Sequence, residues 1–251
     1  MHETARALGQ RFFEAYCSAG GTAVDLGSLD VNGSLRDVAP PGLRYIGVDM
    51  AEGPGVDVVA ESADLLPFES SSVDYVVSSS CFEHAEHFWL LFGEVQRVLK
   101  PAGLFYVNAP SNGPYHRYPV DCWRFYPDAG LALERWGQKL GWNTLLLESF
   151  IAPSEGGTWN DFVAVFVKDG AEQERHPARI AATARGLTNV WQRAAGGELV
   201  LRRELPLPED QRLLRRSRAD VARLSAELEA ARALIARLEA GIAPGSGTTG
   251  E

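Results

Sequence analysis

Cysteine is scarce in this chain: Cys17, Cys81 and Cys122 are the only three among 251 residues, and they lie far apart. No pair stands at a metal-binding spacing, and three scattered thiols make no disulfide framework, so a reducing cytoplasm is the expected location. Long apolar runs are missing too. No stretch approaches the roughly twenty residues that cross a bilayer. Met1-His2-Glu3-Thr4-Ala5-Arg6 lacks the apolar core of a secretory signal. An excess of positive charge is also absent. Residues 1–170 carry 11 Lys and Arg against 22 Asp and Glu; residues 171–251 carry 13 against 11, every cation being Arg. A surface this acidic repels phosphates, which argues against nucleic acid as a partner. The 45% hydrophobic content suffices for one sizeable core plus an appendage.

What the chain does have is alternation. Ala7, Leu8, Phe12, Phe13, Ala15 and Tyr16 recur at helical spacing before Gly20-Gly21, which predicts a capping helix over 4–19. Strands are expected over 23–26, 44–49, 56–59, 72–80 and 104–108. A helix over 85–99 should stop at Lys100-Pro101-Ala102-Gly103. Another helix is expected over 128–140. Strands over 143–150 and 161–167 would then form the last pair of the sheet, one of them antiparallel. The whole predicts a Rossmann-like, seven-stranded, mostly parallel sheet with helices on both faces, spanning 21–170 behind a capping segment at 1–20.

The turn after the first strand, Asp25-Leu26-Gly27-Ser28-Leu29-Asp30-Val31-Asn32-Gly33, and the acid closing the second strand, Asp49, point to a nucleoside. The turn lets backbone approach the ligand, and the second acid accepts hydrogen bonds from ribose hydroxyls. Leu29 and Val31 stand where GxGxxG would place glycines, so no bare path leads a pyrophosphate to a helix N-terminus. A nicotinamide-dependent oxidoreductase is therefore disfavoured, and S-adenosylmethionine becomes the candidate cofactor.

LPF at 66–68, VDYVVSSS at 73–80, EH at 83–84 and VLKPAG at 98–103 occur in that order. Together they resemble the class I S-adenosylmethionine-dependent methyltransferases of the methyltransferase-11 type, over about residues 20–168. GSLDVNGSLR, GPGVDVV and NGPYHRYPVDCWRFYPDA further resemble a bacterial branch associated with glycan and cell-surface biosynthesis. The resemblance implies methyl transfer to a small-molecule or glycan-linked acceptor, with O-methylation the expected chemistry. It also implies a cofactor site: Asp25 beside the methionine part, the backbone of Gly27 and Ser28 along the cofactor, and Asp49 with Met50 at the ribose. Glu61 and Ser62 would lie at the adenine, and Ser80, with Ser79 and Cys81, at the amino-acid part. Cys81 is expected to pack, since methyl transfer needs no enzyme thiol.

The loop after the fifth strand gathers Tyr115, His116, Arg117, Tyr118, Asp121, Trp123 and Arg124 at the sheet end where open α/β folds bind ligands. Tyr115, Tyr118 and Trp123 can stack on a sugar face, while Arg117 and Arg124 can pair with a carboxylate or phosphate. The other reading folds the loop on itself, with Arg against Asp121 and the aromatics in the core. His116, His84 and Asp121 are the candidate bases for a hydroxyl acceptor. His84 and His87 with Asp121 can also be drawn as metal ligands, but no third ligand stands at a diagnostic spacing, and no metal is expected.

Beyond Lys168 the composition turns to Ala and Arg, which predicts a helical linker over 171–205 with a hard break at Pro206-Leu207-Pro208. Leu214, Ser217, Val221, Leu224, Leu228, Ala231, Ile235 and Leu238 then alternate in steps of three and four. This is an a/d seam on a helix over 208–240, expected to pair subunits as a short coiled coil. The Gly/Thr-rich residues 241–251 are expected to be disordered. The alternative to an enzyme is a non-catalytic scaffold of the same fold that uses this helix to bind partners.

Overall fold

A computed structural model describes residues 2–18, 20–62, 64–154, 159–205 and 209–242. Residues 1–205 and 206–251 form two separate units. The first contains one nine-stranded sheet in the order β3-β2-β1-β4-β5-β7-β6-β8-β9. Its strands are β1 (Thr22–Leu26), β2 (Arg44–Asp49), β3 (Val58–Val59), β4 (Val73–Ser79), β5 (Leu99–Pro110), β6 (Leu145–Ala152), β7 (Asp161–Val167), β8 (Thr188–Arg193) and β9 (Leu199–Arg202). The first five pair in parallel, and β7 runs antiparallel to both β5 and β6. The helices are α1 (Glu3–Tyr16), α2 (Phe88–Val98), α3 (Asp128–Lys139) and the single turn α4 (Ile180–Thr183).

Period-two alternation sorts each strand between two cores. Val76, Phe105, Val107 and Phe166 face α2 and α3, where Phe92, Val95 and Leu133 are buried. Val77, Leu104, Tyr106 and Val165 face the other way, onto Phe12, Phe13 and Tyr16 of α1 and Ile180 of α4. Each aromatic or aliphatic side chain fully buried in this way contributes about 1.5–3 kcal/mol. A buried carboxylate joins α1 and α4 to β6. Glu148 accepts from the Tyr16 hydroxyl at 2.6 Å and from the Ile180 and Ala181 amides at 2.6 and 3.0 Å.

Four expectations change. The sheet has nine strands instead of seven, so β6 and β7 are not its last pair. The region read as a helical linker holds a 3-10 segment, the short α4 and then the β8–β9 hairpin. Alanine and arginine favour helix intrinsically, but Thr188-Asn189-Val190-Trp191 and Leu199-Val200-Leu201 flank a Gly196-Gly197 turn, and β8 pairs with the edge of β6. The helix expected over 85–99 starts only at Phe88, because a turn closes between the Cys81 carbonyl and the His84 amide. Lys100-Pro101-Ala102-Gly103 does more than stop that helix: it is a bulge inside β5, where the register against β4 slips between Val73 and Tyr75. Gly103 is required there, since a Cβ would meet the carbonyls of Lys100 and Asp74 at 2.9 and 3.0 Å.

The second unit contains one helix, α5 (Glu209–Ile242). The apolar seam residues Leu214, Val221, Leu224, Leu228, Ile235 and Leu238 are all between 49% and 60% exposed. Arg223 bridges to Asp220 and Glu227 along the same helix. Of the stretch expected to be disordered, Gly241 and Ile242 close this helix, and 243–251 lie outside the described residues, as do the break at 206–208 and Ala63. Among the described residues no helix is long and apolar enough to cross a membrane.

Candidate active site

The carboxyl ends of β1, β2 and β4 open into a cavity of about 910 Å³. At one end stands Asp49. Its Oδ2 accepts from the Leu29 amide and its Oδ1 from the Ala51 amide, both at 3.1 Å. The backbone thus supplies part of the pairing that was assigned to ribose alone. Each carboxylate oxygen has a second lone pair, so both remain able to accept from a ligand. Ser28 and Ser79 also line the cavity, and among the described residues their buried hydroxyls have no hydrogen-bond partner. Two orphaned hydroxyls and a half-satisfied carboxylate in one cavity fit a polyhydroxylated nucleoside.

Asp25 forms the floor of the turn. Burial pushes its carboxyl up to about 7, against the opposing hydrogen bond donated by the Tyr45 hydroxyl at 2.7 Å. Gly27 is held at φ +75°, and a Cβ there would meet Cβ and Sγ of Cys81 at 2.6 and 2.9 Å. Gly27→Ala is therefore expected to destabilise the domain by about 1–3 kcal/mol, read as a lower midpoint in urea denaturation. Cys81 is half-buried against Gly27 and also lines the cavity, and burial pushes its thiol up to about 12. Ser80 sits in the left-handed region at φ +56°, its amide donating to the Asn108 carbonyl at 3.0 Å. Met50, Ser62 and Ser80 all line the cavity; Glu61 does not, so the expected adenine contact from Glu61 is not placed.

The rest of the lining comes mainly from the turn after β4 and the loop after β5. Glu83 is 1% exposed, and burial pushes its carboxyl up to about 8. Its backbone carbonyl accepts from the Cys122 and Trp123 amides, which docks the loop onto this turn. Nδ1 of His84 donates to the Val120 carbonyl, and burial lowers the His84 pKa. The rings of His84 and His116 meet edge-on at 5.0 Å between centroids, and His116 meets Trp159 at 4.9 Å. Arg117 and Tyr118 line the cavity beside them.

The rest of the loop follows the self-folded reading. Asp121 accepts from both terminal nitrogens of Arg124, at 2.6 and 2.8 Å, and from the His116 amide at 2.7 Å. The Arg124 guanidinium holds its carboxyl well below the usual carboxylate range, so Asp121 is a poor base. Arg124 is spent on that pair and on the Pro114 and Trp123 carbonyls. Trp123 donates its indole N–H to the Ala85 carbonyl and packs on Phe88 and Trp89. Tyr115 is 74% exposed. Tyr115, Asp121, Trp123 and Arg124 do not line the cavity, whereas His84, His116, Arg117 and Tyr118 do. The trio drawn as metal ligands is not assembled either: His87 is the N-cap residue of α2 and meets Trp89 edge-on.

His2, Trp159 and Asp161 line the cavity and carried no local signal. His2 and Asp161 approach to 3.2 Å, so the segment before α1 closes the rim against the start of β7. Glu83, the acid of the EH pair, lay in a motif already noticed, but was not among the expected site residues.

Residues 22–107 match the family model described as a methyltransferase domain. The chain is 32% identical over 99 residues to a probable phthiotriol/phenolphthiotriol dimycocerosates methyltransferase 2 of Mycobacterium ulcerans, covering 39% of this chain and 38% of that one. It is 30% identical over 135 residues to the phthiotriol/phenolphthiotriol dimycocerosates methyltransferase of Mycobacterium tuberculosis, covering 48% and 46%. The chain thus spans less than half the length of these curated relatives. Its fold is that of the Burkholderia thailandensis 1,6-didemethyltoxoflavin-N1-methyltransferase, solved with S-adenosylhomocysteine. The TM-score is 0.55 at 18% identity, over 66% of this chain and 79% of that one. Residues 22–107 are thus similar to a methyltransferase domain, within a unit that has the fold of that solved methyltransferase.

Proposed function

We propose that this chain transfers a methyl group from S-adenosylmethionine to a hydroxyl of a small-molecule or glycan-linked acceptor. The observation that carries the reading is one cavity with two chemically different kinds of lining. Asp49 and the hydroxyls of Ser28 and Ser79 come from the carboxyl ends of β2, β1 and β4, and His84, His116, Arg117 and Tyr118 from the turn after β4 and the loop after β5. Asp49 would hold the ribose, Ser28 and the backbone at Gly27 the body of the cofactor, and Ser79 and Ser80 its amino-acid part. When bound, the cofactor supplies a methyl group already activated by its sulfonium. The work left to the chain is alignment and removal of the acceptor proton. Tyr118 offers a ring face and Arg117 a cation for a polar, oxygen-rich acceptor. The imidazoles of His84 and His116 mark where that proton leaves. Calorimetric titration of the full chain with S-adenosylmethionine tests the reading: micromolar binding supports it, and no binding overturns it in favour of the scaffold reading.

We further propose that α5 pairs with α5 of a second copy, because a seam of about four heptads with six large apolar side chains exposed is stable only when covered. Light scattering on a chain ending at residue 205 is expected to show fewer subunits than the full chain. Equal subunit numbers would remove α5 from self-association.

A further inference from the structure

We propose that Glu83, His84 and His116 form a divalent-metal site, with zinc its first occupant, whose open position takes the acceptor's hydroxyl oxygen. The proposal rests on the reading of the cavity as a methyltransferase site and deepens its acceptor end. Three observations carry it. The ligand atoms of the three side chains lie within 4.8 Å of one another at the wall of the cavity. Oε1 of Glu83 is 3.7 Å from Nε2 of His84. Donors around tetrahedral zinc stand about 3.4 Å apart, given metal–donor distances of about 2.0–2.1 Å. Small side-chain rotations close the remaining gap.

The second observation is Glu83 itself. It is 1% exposed, and among the described residues its Oε2 has no hydrogen-bond partner. A buried carboxyl oxygen without a partner is destabilising, and a cation removes that cost. Arg124, whose charge also acts on Glu83, gives its hydrogen bonds to Asp121. The third observation is what stands behind the rings. His84 gives its Nδ1–H to the Val120 carbonyl, which leaves Nε2 with a free lone pair facing Glu83. Asp121 stands 3.4 Å behind Nδ1 of His116. Backing each ring with a carbonyl or carboxylate is how proteins orient imidazoles toward metals. Two imidazoles and one carboxylate suit a borderline first-row ion, and three protein ligands leave a position open. There an acceptor hydroxyl would bind through oxygen and lose its proton to solvent at neutral pH, so that the oxygen is ready to attack.

The test uses the untagged full chain, freed of metal by chelator dialysis and titrated with zinc chloride in a calorimeter. One zinc per chain is expected, with a micromolar or tighter Kd. Glu83→Gln, His84→Ala and His116→Ala are each expected to weaken binding at least tenfold, with folding confirmed by circular dichroism. Glu83→Gln preserves shape and keeps the test valid if a histidine variant unfolds. Absence of zinc binding overturns the proposal, and so does affinity unchanged in the folded variants, which would put the ion elsewhere. The same metal-free sample titrated with S-adenosylmethionine separates the two readings. Cofactor binding without zinc binding removes the metal site alone. Failure to bind the cofactor removes the methyl-transfer reading, whatever zinc does.

Discussion

Replacing His116 by alanine is expected to lower turnover by about two to four orders of magnitude, the usual contribution of a positioned proton-transfer group, whether the ring takes the acceptor's proton itself or helps hold the ion that lets it leave. S-adenosylmethionine affinity is expected to stay nearly unchanged, because His116 belongs to the loop after β5, whereas Asp49 closes β2 and Ser28 follows β1. The variant keeps the main anchor of the loop: alanine retains the backbone amide that donates to Asp121, and the Asp121–Arg124 pair is untouched. What disappears is the ring that meets His84 and Trp159. Release of S-adenosylhomocysteine, with whichever sugar or polyol the parent chain methylates best, measures the effect. If cofactor affinity and folding collapse together, His116 is a structural element of the loop. If turnover survives both His116→Ala and His84→Ala, the chain acts by alignment alone.

Asp49→Ala is expected to weaken S-adenosylmethionine binding by about 1.5–3 kcal/mol, the scale of hydrogen bonds to a charged group, which is roughly a ten- to 150-fold rise in Kd. Part of the loss comes through the chain itself. Without the carboxylate, the Leu29 and Ala51 amides lose their acceptor, and the turn that shapes the site loosens. Asp49→Asn retains one acceptor oxygen and is expected to lose less. Calorimetry on both folded variants reads the difference, and an alanine variant that binds as the parent does would remove Asp49 from the ribose.

The part of the cavity proposed to hold the cofactor was legible as a shared pocket because its signals are local. A strand with period-two burial ends in an acid, a glycine turn follows, and a second strand ends in another acid; Asp25, Gly27, Ser28, Asp49, Met50, Ser62 and Ser80 all reach one cavity. The acceptor end was half legible. Its loop was expected to matter, but which of its side chains face the cavity depends on pairings across the loop. Asp121 and Arg124 neutralise each other, Trp123 finds the Ala85 carbonyl, and Tyr115 is left in solvent. The linker was misread because propensity favours helix in an Ala/Arg-rich segment, while an open edge on β6 offers backbone partners that propensity does not count.

The sequence by itself determined the parallel strands β1, β2, β4 and β5, the helices that cover them, and the carboxylates at the strand ends. Each follows from spacing within a few residues, which backbone geometry converts directly into a face or a turn. Only the tertiary structure decided that the sheet continues through β8 and β9. It alone brought Glu83, His84, His116 and Trp159 together and turned Asp121 from a candidate base into the partner of Arg124. Those outcomes depend on contacts between segments far apart in the chain, and no local period encodes which distant side chain supplies the missing hydrogen bond or charge.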